Sequence, residues 1–167
     1  SKIFNVKIVS RSNTAPEGWS NNSFKKNLYK FVIKLADTVI VNSYEFKKSL
    51  DKNFNTNSIC IYNPINKKEI LKQSKVDLKF NFFDKKSLNL INIGRCTGQK
   101  NQMLILKAIK HLNKKIPIKL LIAGRGKEFP KLNYFIKQNN LSNCIKLFDF
   151  LPNPHRFIKK ADVFILS

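Results

Sequence analysis

The chain has 167 residues, 43% of them apolar, which is enough for one well-packed core or two small ones. Its 32 basic and 10 acidic residues give a formal charge of +22, which would attract phosphates, nucleic acid or an anionic membrane surface. Only four of the basic residues are arginine and the lysines are spread along the whole chain, so we favour a solvated lysine-rich surface. Three widely separated cysteines argue against a disulfide framework or a zinc site and favour a reducing compartment, and no apolar run approaches the ~18 residues of a membrane span.

The first 65 residues alternate between strand-like and helical patterns, which is typical of a parallel sheet covered by helices. Phe46, Leu50 and Phe54 recur every four residues, which predicts a short helix with Ser43 as its N-cap. The other predicted elements are a strand at 3–10, a helix at 24–36 behind a cap at Asn22 or Ser23, and strands at 38–43 and 58–64.

Residues 66–87 lose this periodicity and are rich in lysine, which predicts a linker between two domains. The alternation then resumes. Strands are predicted at 88–94, 118–124, 144–150 and 162–167, with helices at 101–115, 129–139 and 155–160 between them. The sequence therefore predicts two α/β pieces in succession, and we expect both sheets to be incomplete.

Two polar loops follow strands of the second piece. In the first, Gly94 and Arg95 end a strand and Lys100 stands where the next helix begins; in the second, "AGRGKE" repeats the arrangement around Gly124 and Gly126. Arginine, lysine and a helix N-terminus can together hold a diphosphate, and glycine lets the backbone approach a ligand or adopt a positive φ. Neither loop matches GxGxxG or the P-loop, so ordinary βα loops are the alternative.

These residues also carry a family resemblance. "LINIGRCTGQKNQMLILKAIKHL", "IKLLIAGRGKEFPKL" and "CIKLFDFLPNPHRFIKKADVFILS" resemble, in this order, the carboxyl-terminal half of family 4 glycosyltransferases of the GT-B fold. The preceding "LADTVIVNSYEFKKSL" and "NSICIYNPIN" are similar to the end of the amino-terminal domain of that family. The resemblance covers about residues 31–167 and implies two Rossmann-like sheet pieces, an acceptor-side domain at 1–65 and a truncated donor-side domain at 88–167.

The resemblance implies an enzyme that transfers a sugar from a nucleotide-diphosphate sugar to a glycan or lipid-linked acceptor in cell-envelope polysaccharide synthesis. Arg95 and Lys100 match the family's catalytic pair, which neutralises the donor diphosphate. The residues expected to line the donor nucleotide are Gly94, Gly124, Gly126, Phe150 and Leu151. Asp149 or Phe150 stands where the family usually has a glycine. Arg11 and Asn13 are acceptor-side candidates, with an ordinary loop as the alternative.

Two further expectations concern what the chain lacks. The family's E-x7-E element would begin after Ser167, so we expect the chain to be a fragment. We expect this fragment to be inactive alone and to have as its partner a second chain that carries the element. No metal cofactor is expected, because the ten carboxylates are nowhere closer than six positions in sequence.

Alternatives from other classes stay open. The chain could be an inactive remnant or the binding subunit of a split glycosyltransferase, or a basic nucleic-acid-binding protein, although no specific nucleic-acid module is recognisable. We expect a cytoplasmic protein at or near the inner face of a membrane. The helix at 24–36 carries lysines opposite its apolar residues; it could lie on anionic lipid, but we favour a core helix with a basic outer face.

Overall fold

The structure is a computed structural model that describes residues 6–13 and 23–167. The chain forms two compact units, Ser1–Ile65 and Asn66–Ser167, and each contains a parallel β-sheet with flanking helices. The predicted α/β class with two Rossmann-like sheet pieces is confirmed. Among the described residues, no helix is both long and apolar enough to cross a bilayer.

The first unit has a three-stranded sheet in the order β1-β2-β3. Its elements are β1 (Val9–Ser12), α1 (Ser23–Lys34), β2 (Thr38–Val41), α2 (Tyr44–Phe54) and β3 (Ile59–Cys60). The strand predicted at 3–10 is displaced, because pairing with β2 begins at Val9; its residues 3–5, like the candidate cap Asn22, lie outside the described residues. Ser43 caps α2 as predicted, since its hydroxyl accepts a hydrogen bond from the Phe46 backbone N at 3.2 Å.

Asp51 fastens the end of α2 to the strand that follows. Its carboxylate accepts hydrogen bonds from the Lys47 ammonium at 2.7 Å, the Ser58 backbone N at 2.9 Å and the Thr56 hydroxyl at 3.0 Å. Partial burial opposes ionisation of Asp51, but these hydrogen bonds outweigh it and lower the pKa of the carboxyl to about 2. The ionised carboxylate is therefore part of the folded first unit at neutral pH.

The core of the first unit forms between β2 and α2 and does not include the apolar stripe of α1. Val39 and Val41 of β2 are covered by the side chains that recur every four residues along α2. The sole buried residue of α1 is Ile33, whereas Leu28 and Phe31 are exposed. The prediction that the apolar residues of this helix face the core is wrong, because α2 already covers the inward side chains of β2.

The second unit has a four-stranded parallel sheet in the order β6-β5-β4-β7. Its elements are α3 (Lys67–Ser74), β4 (Leu88–Ile93), α4 (Gln102–Leu112), β5 (Ile118–Ala123), α5 (Phe129–Gln138), β6 (Ile145–Phe148), α6 (Pro154–Lys160) and β7 (Val163–Phe164). A short 3₁₀ turn, Gly98–Lys100, precedes α4. The order of strands reverses between β4 and β7, which is the position where open α/β sheets place their ligands.

The two faces of this sheet are covered by different parts of the chain. Leu120 and Ile122 of β5 pack in a cluster with Leu106 of α4 and Leu132 of α5. Leu121, which points to the opposite face, packs with Leu78 and with side chains of α6. A sheet buried on both faces explains why its strands are almost continuously apolar.

The segment 66–87 differs from the linker that the sequence predicted. It contains α3, which packs against α6, and it supplies Leu78 and Phe82 to the buried residues of the second unit. The Lys160 ammonium donates a hydrogen bond to the Leu78 carbonyl at 2.6 Å, and the Asn153 amide donates one to the Gln73 carbonyl at 3.0 Å. These contacts join residues about eighty positions apart, so local periodicity could not reveal them.

Candidate functional site

The predicted donor-site residues of the second unit lie at one edge of its sheet. Gly94 and Arg95 follow β4, Gly124 and Gly126 follow β5, and Phe150 follows β6. All four strands are parallel, so their carboxyl ends meet at this edge. The end of the chain reaches the same edge, where the Ser167 hydroxyl donates a hydrogen bond to the backbone carbonyl of Lys100.

Arg95 and Lys100 stand on either side of a short turn. Thr97 precedes the 3₁₀ turn Gly98–Lys100, and the Lys100 backbone N donates a hydrogen bond to the Thr97 carbonyl at 3.0 Å. Arg95 and Lys100 are both exposed, and within residues 6–13 and 23–167 neither side chain has an ion pair or hydrogen bond. Two exposed cations beside the switch point of the sheet suit an anionic ligand.

Gln102 fixes the backbone of this turn. The residue is 2% exposed, and its amide nitrogen donates hydrogen bonds to the carbonyls of Gly94 at 3.4 Å and Arg95 at 3.1 Å. One side chain at the start of α4 therefore holds the segment that carries Arg95 next to the segment that carries Lys100. The amide oxygen of Gln102 is buried and has no partner among the described residues.

Gly124 and Gly126 allow the backbone of the loop after β5 to pack closely against the backbone of the loop after β4. A Cβ at Gly124 would lie 1.9 Å from the Gly94 carbonyl oxygen, and one at Gly126 would lie 2.1 Å from the Cys96 carbonyl oxygen. Cys96 is fully buried between the loops, and its thiol donates a hydrogen bond to the Gly124 carbonyl at 3.0 Å. Burial raises the pKa of this thiol, which keeps it protonated and makes it a packing group.

Gly94 and Gly98 have no comparable constraint. A Cβ at Gly94 would make ordinary contact with the Gln102 amide at 4.0 Å, and one at Gly98 would meet nothing within 4 Å. Neither glycine is among the residues with positive φ. The expectation that a positive φ requires glycine at these positions is therefore wrong, and their role in leaving space for a ligand stays a prediction.

The loop after β6 contributes a charged and aromatic surface. Arg125 forms an exposed ion pair with Asp149 at 3.5 Å, and its guanidinium lies 5.6 Å from the centre of the Phe150 ring. Phe150 is 61% exposed, whereas Leu151 is half-buried and packs in the cluster around Leu121. Of the two predicted nucleotide-lining residues in this loop, only Phe150 presents a broad surface to solvent.

The predicted acceptor-side residues lie in the first unit. Arg11 is exposed in β1, and its guanidinium donates a hydrogen bond to the Asn63 side-chain oxygen at 2.5 Å. Asn13 follows the same strand and is exposed. The structure thus brings Arg11 together with an asparagine beyond the end of β3, a pairing that the sequence did not predict.

Two cavities of the second unit lie near opposite ends of its strands. One, of about 340 Å³, borders the candidate site and is lined by Thr97, Gly98, Asn101 and Gln102 together with residues at the start of α5. A larger one, of about 480 Å³, is lined by Ser87, Asn89 and Asp162 near the amino ends of the strands. We place the candidate site at the edge that carries Arg95 and Lys100, because ligands of parallel sheets bind beyond the carboxyl ends.

Sequence reasoning missed two residues that shape this edge. One is Gln102, described above. The other is Asn92, which is 3% exposed in β4 and donates a hydrogen bond from its side chain to the Ile165 carbonyl at 2.8 Å, joining the ends of β4 and β7. The signal available in the sequence was asparagine within an otherwise apolar strand, "LNLINI", which holds both Asn89 and Asn92.

Among the described residues, no three His, Cys, Asp or Glu side chains gather closely enough to hold a metal ion. That the protein needs no metal cofactor stays a prediction from the sequence.

The fold and the candidate site define a GT-B type α/β protein, and the comparisons then fix the family. The chain belongs to the glycosyl transferases group 1 family, whose sequence profile matches residues 73–167. The resemblance to glycosyltransferases inferred from the sequence motifs is thereby confirmed.

Two curated relatives match nearly the whole chain. An uncharacterized glycosyltransferase of Methanocaldococcus jannaschii is 31% identical, over 99% of this chain and 44% of the relative. The N-acetylgalactosamine-N,N'-diacetylbacillosaminyl-diphospho-undecaprenol 4-alpha-N-acetylgalactosaminyltransferase of Campylobacter jejuni is 27% identical, over 96% of this chain and 44% of the relative. The chain therefore spans less than half the length of either relative.

Solved structures agree on the fold. Anabaena HepE in complex with UDP and glucose superposes with a TM-score of 0.75 at 16% identity, covering 100% of this chain and 48% of HepE. At that identity the likeness supports the fold alone.

Proposed function

We propose that the second unit binds a nucleotide-diphosphate sugar at the carboxyl edge of its sheet, with Arg95 and Lys100 on the diphosphate. The observation that carries the proposal is the pair of exposed cations, free of partners among the described residues, beside the point where the strand order reverses. Membership of the group 1 family and the likeness to a UDP complex of HepE support it. Gly94, Gly124, Gly126, Phe150 and Leu151 would lie around the nucleotide.

The chemistry proposed for the two cations is stabilisation of the leaving group. When the bond between the sugar and the nucleoside diphosphate breaks, negative charge accumulates on the phosphate oxygens. Cations fixed beside those oxygens favour the transition state over the bound substrate. Gln102 would keep both cations at a constant separation, and no metal ion takes part in the proposal.

We propose that the protein acts in the cytoplasm and that its acceptor is a glycan or a lipid-linked glycan of cell-envelope polysaccharide synthesis. The support is the name of the Campylobacter jejuni relative, which specifies a diphospho-undecaprenol acceptor. Arg11 and Asn13 would contact the acceptor from the first unit.

Calorimetric titration of the chain with UDP, GDP and UDP-N-acetylglucosamine at physiological salt tests the donor site. The variant is Arg95→Ala with Lys100→Ala. A matched control is Lys107→Ala with Lys110→Ala, which removes two exposed cations from the same unit without touching the turn. We expect one nucleotide to bind the chain and the control, and the site variant to lose at least about 2 kcal/mol of binding free energy.

Equal losses in the site variant and the control would attribute binding to net charge and contradict the proposal. Binding of a random-sequence DNA in place of any nucleotide, with an affinity that falls steeply with salt, would favour a nucleic-acid-binding protein. Transfer of sugar to an acceptor by the chain alone would exclude an inactive remnant.

A further inference from the structure

Ser167 connects the turn that carries Lys100 to the strand beside it. Its hydroxyl donates a hydrogen bond to the backbone carbonyl of Lys100, and the two residues are 67 positions apart in the sequence. A backbone carbonyl moves with the Cα atom of its own residue. A bond that holds the carbonyl of Lys100 therefore limits where the side chain of Lys100 begins.

The segment that carries Ser167 is itself held by the sheet. After β7, the Ile165 backbone N donates a hydrogen bond to the Ile91 carbonyl at 2.8 Å. The Asn92 side-chain amide donates one to the Ile165 carbonyl, also at 2.8 Å. Asn92 is 3% exposed, so this second bond is shielded from water. Ser167, two residues further along, therefore extends from a fixed point of the strand.

The turn 95–100 follows β4 and is held from both strands that neighbour β4. The Lys100 backbone N donates to the Thr97 carbonyl at 3.0 Å, which closes the turn without placing it against the sheet. Near Arg95, the Cys96 backbone N donates to the Arg125 carbonyl, in the loop after β5, at 2.8 Å. At the other end, the bond comes from the segment after β7. The two cations thus depend on different strands for their positions.

We propose that Ser167 is a positioning residue for Lys100. The inference rests on the proposed donor site, because it takes the Lys100 ammonium to bind the diphosphate. The attraction between an ammonium and a phosphate depends on the distance between them. Lysine has a long, flexible stem, so that distance is well defined only when the backbone of the lysine is fixed. Ser167 acts by fixing that backbone and does not itself contact the ligand.

Calorimetric titration with UDP and with GDP tests the inference. We expect Ser167→Ala to weaken binding of the nucleotide about fivefold, which corresponds to one net hydrogen bond. Ser167→Thr keeps the hydroxyl and should bind as the parent chain does. The matched control is Ser74→Ala, which removes a hydroxyl that donates to the Leu71 carbonyl at 2.8 Å in α3. It should also bind as the parent chain does.

A double-mutant cycle with Lys100→Ala separates positioning of Lys100 from a structural role of Ser167. If Ser167 acts through the Lys100 side chain, Ser167→Ala should change nucleotide binding less than about twofold once Lys100 is alanine. The same substitution should still weaken binding about fivefold in an Arg95→Ala chain. A merely structural role would weaken binding by one factor in all three chains.

Two results would overturn the inference and leave the donor site standing. One is unchanged nucleotide binding by Ser167→Ala. The other is an equal loss with and without the Lys100 side chain, which would mean that Ser167 contacts the ligand or supports the fold. A parent chain that binds neither UDP nor GDP would refute the donor site and this inference together.

Discussion

Replacing Gly124 by alanine should destabilise the second unit strongly. The added Cβ would lie 1.9 Å from the Gly94 carbonyl oxygen and 2.7 Å from its carbon, both backbone atoms. This is about 1.5 Å short of ordinary contact, and neither strand can retreat freely. The Gly94 N donates to the Ala123 carbonyl at 2.9 Å, and the Gly124 N donates to the Phe148 carbonyl at 2.9 Å.

The cost combines overpacking with a φ of 157°, which side chains rarely adopt. Each contribution is on the order of 1–3 kcal/mol, so we expect a loss of about 3 kcal/mol. Urea unfolding followed by circular dichroism measures it, with Gly98→Ala as the control. That control should stay within about 0.5 kcal/mol of the parent chain, because a Cβ at Gly98 meets nothing within 4 Å. A Gly124→Ala loss no larger than that of the control would refute the steric argument.

Three further outcomes are expected. Gln102→Leu should cost about 1–3 kcal/mol of unfolding free energy and weaken nucleotide binding, because two loop carbonyls lose their donor. The control Gln138→Leu, at an exposed position at the end of α5, should change neither, and equal effects would contradict the role of Gln102. The pKa of the Asp51 carboxyl is about 2 in the folded chain and 3.8 ordinarily. The ionised carboxylate should therefore contribute about 2 kcal/mol to the free energy of unfolding above pH 5, and this contribution should be lost as the pH falls through 4 towards 2. Urea unfolding at several pH values should show this acid dependence reduced in Asp51→Asn. The exposed Arg125–Asp149 pair should show a coupling energy below about 1 kcal/mol in a double-mutant cycle, and a larger value would mean that the pair is shielded from solvent.

Several features of the fold follow from local sequence patterns. The alternation of strand and helix patterns predicts parallel sheets, and parallel strands bring the loops that follow them to one edge. The position of Arg95 and Lys100 beside that edge could therefore be predicted from the sequence. The cap at Ser43 could be predicted too, because a cap depends on residues within one helical turn.

Other features could not be predicted, because they depend on contacts between distant residues. The segment 66–87 lacks periodicity, yet it packs on one face of the sheet. Hydrogen bonds join it to α6 and its N-cap, which lie about eighty residues later in the chain. The outward orientation of the stripe on α1 depends on α2 having already covered the inward side chains of β2.

The sequence by itself determined the α/β class, the family motifs and the pair of cations, since each depends on residue type and short spacing. The tertiary structure alone decided which glycines are sterically required. Gly98 stands in open space, whereas Gly124 and Gly126 touch the backbone of the loop after β4. It also decided that Gln102 binds the consecutive carbonyls of Gly94 and Arg95. The physical reason is that steric exclusion and hydrogen bonding act between atoms that meet only when the chain folds: the glycine contacts need β4 and β5 side by side, and the Gln102 contacts need the loop after β4 to fold back on the start of α4.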